Sequence, residues 1–158
     1  MIKVKINYCD LWDSVRGILQ YISGKKAVTA DEYFRFTVCE ADGELLDRLL
    51  RESIIWMSLK MTKYWGGSEI TEAAVILNFD FDSEPGDPIV RSEEISWLVF
   101  DILVYRMVFL WMKISGWNET EYWNSKSETL LNHLVEFEYR KRINKGLSTR
   151  RSFPFGNF

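Results

Sequence analysis

The chain has 158 residues, enough for one domain with a sizeable core and no need of a disulfide or metal staple. Three prolines, nine glycines and 15% aromatic content exclude a disordered or collagen-like chain, while one histidine and two cysteines exclude most metal and cysteine–histidine chemistry. The net charge of −3 hides an asymmetry, because residues 139–158 hold six of the 20 basic side chains and no acidic one; the remainder, 14 basic against 23 acidic, is an acidic body of net −9.

Ile2, Val4 and Ile6 alternate with Lys3, Lys5 and Asn7, the period of a half-buried strand. A short helix follows, with Leu11, Val15, Ile18, Leu19 and Ile22 at helical spacing and Gly24 placed to stop it. Thr29 followed three residues later by Glu32 reads as a capping box opening a brief helix through Tyr33 and Phe36. Asp42 then caps the first long helix, expected over residues 43–65. Its stripe is Leu46, Leu50, Ser53/Ile54, Met57, Met61 and Tyr64/Trp65, with Gly66-Gly67 as the stop. At 1.5 Å per residue it would be roughly 35 Å long.

Val75, Leu77, Phe79 and Phe81 alternate with more polar positions, so residues 73–81 read as a strand, although 68–77 could equally extend a helix. The natural partner of such a strand is the N-terminal one, in a two-stranded ribbon backed by helices. Ser83 to Pro88 is a turn-rich loop, and Asp87-Pro88 or Ser92 opens a helix that Gly116 ends. Its stretch from Ile95 to Ile114 is almost wholly apolar and of membrane-spanning length, but Asp101 and Arg106 sit in its middle. A helix apolar on nearly every side is also what the central helix of a soluble bundle looks like, and that is the expectation. Asn118 and Glu121 open a final helix carrying Tyr122, Leu130, Leu131, Leu134, Phe137 and, at its end, Ile143, and beyond Gly146 no periodicity remains.

The expected fold is therefore mainly α: a helical bundle of two or three long helices plus short ones, with a small two-stranded β element and an extended C-terminal tail. One domain is expected over 1–138, its residues 1–28 forming the N-terminal strand and helix. Residues 139–158 form a basic, aromatic-tipped arm. Met1-Ile-Lys-Val-Lys-Ile lacks the apolar core and cleavage site of a signal peptide, and Cys9 and Cys39 are expected as reduced thiols that merely pack.

No enzyme is expected. G-x-S-x-G, G-x-G-x-x-G and Walker sequences are absent, and a single histidine cannot make H-E-x-x-H. His133 has no nucleophile to serve, and the Glu119/Glu121 and Glu136/Glu138 pairs read as ordinary helix surface. The loop from Asp80 to Asp87 spaces oxygen donors like a calcium loop, but Pro85 stands where a glycine must turn and Arg91 where a bidentate glutamate belongs. No metal or cofactor is expected.

Seven tryptophans are more rings than core packing needs, and tryptophan is favoured where proteins meet, so some are expected at an interface. The tail is the strongest functional clue. Arg140, Lys141, Arg142, Lys145, Arg150 and Arg151, with Phe153, Phe155 and Phe158, are the expected partner-binding residues. They suit an acidic protein surface with aromatic pockets better than nucleic acid, because no basic face on the body accompanies them.

The order of these pieces resembles a known family. Thr29-Ala-Asp-Glu-Tyr-Phe-Arg-Phe, then Glu40-Ala-Asp-Gly-Glu-Leu-Leu-Asp-Arg-Leu-Leu-Arg-Glu-Ser, resembles the opening of head–tail connector (adaptor, or neck) proteins of tailed bacteriophages. The second half is similar too: an apolar helix with Tyr105 and Trp111, then Glu121-Tyr-Trp opening a helix that ends Glu138-Tyr-Arg-Lys-Arg, and a basic tail with a proline near its end. Residues 1–28 and the strand-like 73–81 depart from a minimal adaptor and suit the versions found in phages of gut Bacteroidetes. The resemblance implies a structural virion protein, assembled in the host cytoplasm as a homo-oligomeric ring, commonly of twelve. Such a ring sits below the portal protein and extends the channel through which DNA passes without specific binding. The C-terminal segment would dock into the portal, the body would receive the next neck or tail protein, and no membrane is involved. The alternative is a small cytosolic binding module in a closed one-to-one complex.

Overall fold

The computed structural model describes residues 1–27, 29–39, 42–81 and 90–150, the side chains of Arg35, Val90, Arg91 and residues 137–150 excepted. The order of elements is β1 (Ile2–Asn7), α1 (Tyr8–Lys26), α2 (Ala30–Phe36), α3 (Gly43–Lys60), β2 (Trp65–Ile70), β3 (Ala74–Phe79), α4 (Val90–Ile114) and α5 (Glu121–Arg150). The chain is mainly helical, as its composition of periodic apolar stripes implies.

The alternation in β1 does what it encodes: Val4 and Ile6 are buried while Lys3, Lys5 and Asn7 face out. Its partner is β3, antiparallel, with Ile2 opposite Phe79, Val4 opposite Leu77 and Ile6 opposite Val75. The expected pairing of the N-terminal strand with residues 74–79 is therefore present, but the two-stranded ribbon is a three-stranded sheet of order β1-β3-β2. The third strand comes from the segment expected to end the first long helix. α3 stops at Lys60 rather than Trp65, the Met61 amide closing it on the Met57 carbonyl. The Met61 and Tyr64 side chains remain buried in the turn that follows, which is why the helical stripe seems to run on in the sequence. Gly66 and Gly67 form a bulge rather than a helix stop. Register slips between Trp65 and Gly67, Gly67 has φ +118°, and a Cβ on Gly66 would lie 3.1 Å from the Asn78 carbonyl oxygen.

Helix starts follow local chemistry more closely than helix ends. Thr29 caps α2, its hydroxyl accepting from the Glu32 amide at 3.2 Å. Asp42 stands at the N-cap of α3, but its carboxylate accepts from the Cys39 amide at 2.8 Å and closes the preceding turn instead of the helix. Gly24 does not stop α1, which continues to Lys26; an exposed helical glycine costs only about 1 kcal/mol.

One core unites these elements, with Leu11, Val15 and Leu19 from α1, Leu46, Leu50 and Met57 from α3, Leu77 and Phe79 from β3, and Val99, Ile102, Leu103, Met107 and Val108 from α4. α4 packs against α1, α3, β1 and α5, and that explains its near-continuous apolarity. Residues 92–114 are also long and apolar enough to cross a membrane by length and composition. Two serines inside the core, Ser23 and Ser53, each donate to the carbonyl four residues earlier, Leu19 and Leu49, so neither hydroxyl is left unsatisfied.

α4 and α5 form an antiparallel hairpin. Tyr105 lies beside Trp123 and Arg106 bonds Asn124, so at equal rise per residue the first residue of α4, Val90, falls opposite the neighbourhood of Tyr139. The remaining residues, 140–150, run on as helix for about 16 Å past the start of α4. The expected extended arm is thus helical over 139–150, past the helix end expected at Arg142–Ile143. Residues 151–158 lie outside the described residues.

Candidate interaction surfaces

Among the described residues no group of three or more His, Cys, Asp or Glu converges as metal ligands. Arg16 of α1 has a buried Nε without a partner, and three further charged groups, Asp101, Arg106 and Lys126, lie along the seam of α4, α5 and α3. Asp101 and Arg106 are five residues apart, about 140° around the helix, and do not meet. Arg106 stacks its guanidinium 4.3 Å from the centre of the Trp56 ring on α3 and 4.7 Å from Phe109, and donates from Nη1 to Asn124 Oδ1 at 2.7 Å. Its Nε is buried without a partner, and burial lowers its pKa, opposed by Glu128. Asp101 is raised by burial, with Lys126 pulling the other way. Lys126 lies over Tyr105 at 4.4 Å, Tyr122 at 5.5 Å and Trp123 at 5.9 Å. Burial alone would lower its pKa, but the Tyr122 and Tyr105 hydroxyls outweigh that and raise it. These contacts tie α4 to α5 and α3.

Two clefts open on the surface. The first, about 470 Å³, lies where β1 runs into α1 beside α4, and is lined by Lys5, Ile6, Asp10, Asp13, Trp97 and Phe100 among others. Asp10 is held by the Asn7 side-chain amide at 3.2 Å. Trp97 stands 70% exposed, edge-on to Phe100, with Glu93 one turn before it. The second, of similar size, lies between Ile22, Lys26, Met112, Glu119, Glu121, Tyr122 and Trp123. Lys26 is ion-paired with Glu119, both among its lining residues. Behind it, the Trp111 indole donates to the Phe36 carbonyl at 2.9 Å and Phe36 meets Trp117 at 4.2 Å, pinning α2 to the end of α4.

On the opposite flank, α3 presents an apolar pair to solvent. Ile55 is 58% exposed and Leu59 73%, one turn apart, with Arg51 one turn before them and the exposed Lys63 in the turn that follows the helix end.

The residues expected to bind a partner do not share this ground. Arg140, Lys141, Arg142, Lys145 and Arg150 lie on the overhanging turns of α5, where the backbone alone is described, and Arg151, Phe153, Phe155 and Phe158 lie outside the described residues. Of the seven tryptophans only Trp111 is buried, Trp97 is exposed and the rest are half-buried, so the ring surplus is met largely at the surface. Cys9 and Cys39 are both free and exposed, not packed as expected: Cys9 falls off the Leu11–Val15–Leu19 stripe, and Cys39 ends in the turn before α3. The Trp97 cleft and the Ile55–Leu59 ridge were missed by sequence reasoning. Their signal is the phase of each stripe, since Trp97 falls between the buried Ile95 and Val99, and Ile55 beside the buried Ile54. No protein-family model, no curated protein and no solved structure matches the chain.

Proposed function

We propose that this protein is a structural assembly subunit, a head–tail connector of a phage virion, forming a homo-oligomeric ring below the portal and extending the DNA channel. The observation that carries the reading is the segregation of charge along one helix. α5 leaves the company of α4 near Tyr139, and from there to residue 151 the chain carries six basic residues and no acidic one, against a body of net −9. A basic projection on an acidic body suits insertion into a partner of opposite charge, here the portal, while the body receives the next neck or tail protein. The acidic body also suits a channel wall, because carboxylates do not grip passing phosphates. The exposed apolar ground on two flanks suits lateral contacts between copies. The binding role falls to Arg140, Lys141, Arg142, Lys145, Arg150, Arg151, Phe153, Phe155 and Phe158, and no catalysis, cofactor, metal or membrane is part of it.

The test is the native mass of the tagged full chain recovered from its own source extract, with the same sample imaged by negative stain. A ring of many copies bound to a portal-sized companion is expected. A closed one-to-one complex with a different protein overturns the reading in favour of a binding module. A paired variant, Arg140→Glu with Arg142→Glu, is expected to lose the companion while keeping the melting temperature, because exposed charges contribute little to folding.

A further inference from the structure

We propose that the α3 ridge Arg51–Ile55–Leu59 of one copy, with Lys63 of the turn after it, seats in the Trp97 cleft of the next copy, and that this is the lateral, head-to-tail contact of the assembly. The inference deepens the ring reading and rests on it for the identity of the occupant, a second copy of this chain.

The two surfaces match in kind. The ridge is the i, i+4 row Arg51, Ile55 and Leu59 on α3, with Ile55 and Leu59 both more than half exposed, and Lys63 exposed in the turn beyond the helix end. The cleft offers the converse: Ile6, Phe100 and the exposed Trp97 as its apolar ground, with Asp10 and Asp13 in its lining and Glu93 one turn beyond Trp97. Lys5 is the one cation among the lining residues. Its volume, about 470 Å³, accommodates a pair of aliphatic side chains with the ends of their cationic neighbours. Opposite charge between ridge and rim favours ridge in cleft and disfavours ridge against ridge.

The two surfaces also lie on different flanks of the same chain. Along α1, Tyr8 and Trp12 stack on each other on the side that approaches Asp47 and Arg51 of α3. Asp10, Asp13 and Ser14 fall on the other side of α1 and line the cleft with Ser96 and Trp97 of α4. A copy whose ridge is occupied therefore keeps its cleft free. Contacts between unlike surfaces propagate and close into a ring when the rotation permits, whereas like-on-like contacts stop at two. One ridge in one cleft is smaller than the roughly 800 Å² per partner of a standard stable interface. Pairs are then weak, and closure of the ring supplies the stability.

The experiment is sedimentation velocity of the full chain over a concentration series, with two charge-reversed chains. Asp10→Lys with Asp13→Lys reverses the cleft, and Arg51→Glu with Lys63→Glu reverses the ridge. Each alone is expected to weaken self-association by about tenfold or more. Mixed in equal amounts they are expected to assemble again, because each reversed surface then meets its complement and only alternating order satisfies both. Asp13→Lys alone leaves the Asn7–Asp10 bond in place and is expected to give a smaller loss of the same sign, so a folding defect from Asp10 is distinguishable. Leu59→Asp should abolish association. Association indifferent to the ridge reversal, a mixture that stays dissociated, or a wild-type chain that is monomeric at every concentration overturns the interface. The ring reading itself falls on a different result, a closed one-to-one complex from the source extract, whatever these variants do.

Discussion

Arg106 donates from Nη1 to Asn124 Oδ1 at 2.7 Å while its guanidinium carbon lies 4.3 Å from the centre of the Trp56 ring and 4.7 Å from that of Phe109, so one side chain ties α4 to both α3 and α5. The planar group does this where an ammonium cannot, because it stacks and hydrogen-bonds at once and is less strongly hydrated. Arg106→Lys is expected to cost about 1–2 kcal/mol through loss of the stacking and the Asn124 bond. Arg106→Met should cost less than Arg106→Lys, since the thioether keeps the aromatic contact and removes the unpartnered Nε. Urea unfolding of the three chains checks the order, and a lysine variant as stable as wild type refutes it.

Asp101 carries a pH dependence of the less familiar sign. Burial raises its pKa above that of a free carboxyl, so in the window between those two values the folded chain binds the proton that the unfolded chain has released. Its contribution to stability is therefore favourable as pH falls through the raised value and is lost as pH rises above it. Asp101→Asn is expected to raise the melting temperature at neutral pH, and the gain should vanish below the free-carboxyl range. Melting curves across acid and neutral pH decide it; a loss at neutral pH would mean that attraction to Lys126 outweighs burial.

Glycines in this chain should respond to alanine with opposite signs. Gly67 has φ +118° at the β2 bulge, and Gly67→Ala is expected to destabilise by about 1–2 kcal/mol although no atom lies within 4 Å of the added methyl. Gly17 lies within α1, exposed, with open space around its Cβ position, and Gly17→Ala should stabilise by about 0.5–1 kcal/mol. Chemical denaturation of each variant measures both.

Removal of residues 139–158 is expected to leave the melting temperature within about 3 °C of the full chain, because α4 accompanies α5 only as far as Tyr139. The same truncation should abolish capture of the companion protein. A large fall in melting temperature would place the segment in the core and remove it from partner binding.

How much of this was legible in the sequence follows from what each residue has to pack against. β1, the Thr29 cap and the long helices α4 and α5 announce themselves, since each couples a clear period to a stop or cap. β3 alternates too, but its first residues read equally as helix, and pairing with β1 decides it. β2 does not show. Trp65-Gly-Gly-Ser-Glu-Ile has no alternation, its two glycines imitate a helix stop, and its existence depends on pairing with β3, a tertiary fact. The helical turns beyond Ile143 were hidden because Gly146 reads as the end of the pattern. The cleft was hidden because its lining comes from β1, α1 and α4, residues 5–14 and 96–100, which only the fold brings together. The basic segment, by contrast, is visible in composition alone.

The middle strand of the sheet is the last of the three to be made. As the chain leaves the ribosome, β1 emerges with Val4 and Ile6 but finds no edge to join until β3, some seventy residues later, has been synthesised. The β2–β3 hairpin closes locally, on a scale of microseconds, whereas seating β1 requires closing the long intervening loop. α1, contiguous with β1, must wait with it, and α4 cannot bury its apolar surface before both are in place. Synthesis thus leaves the N-terminal third exposed for a period, with Lys3 and Lys5 on its outward face as the charges that discourage pairing with a neighbouring nascent chain.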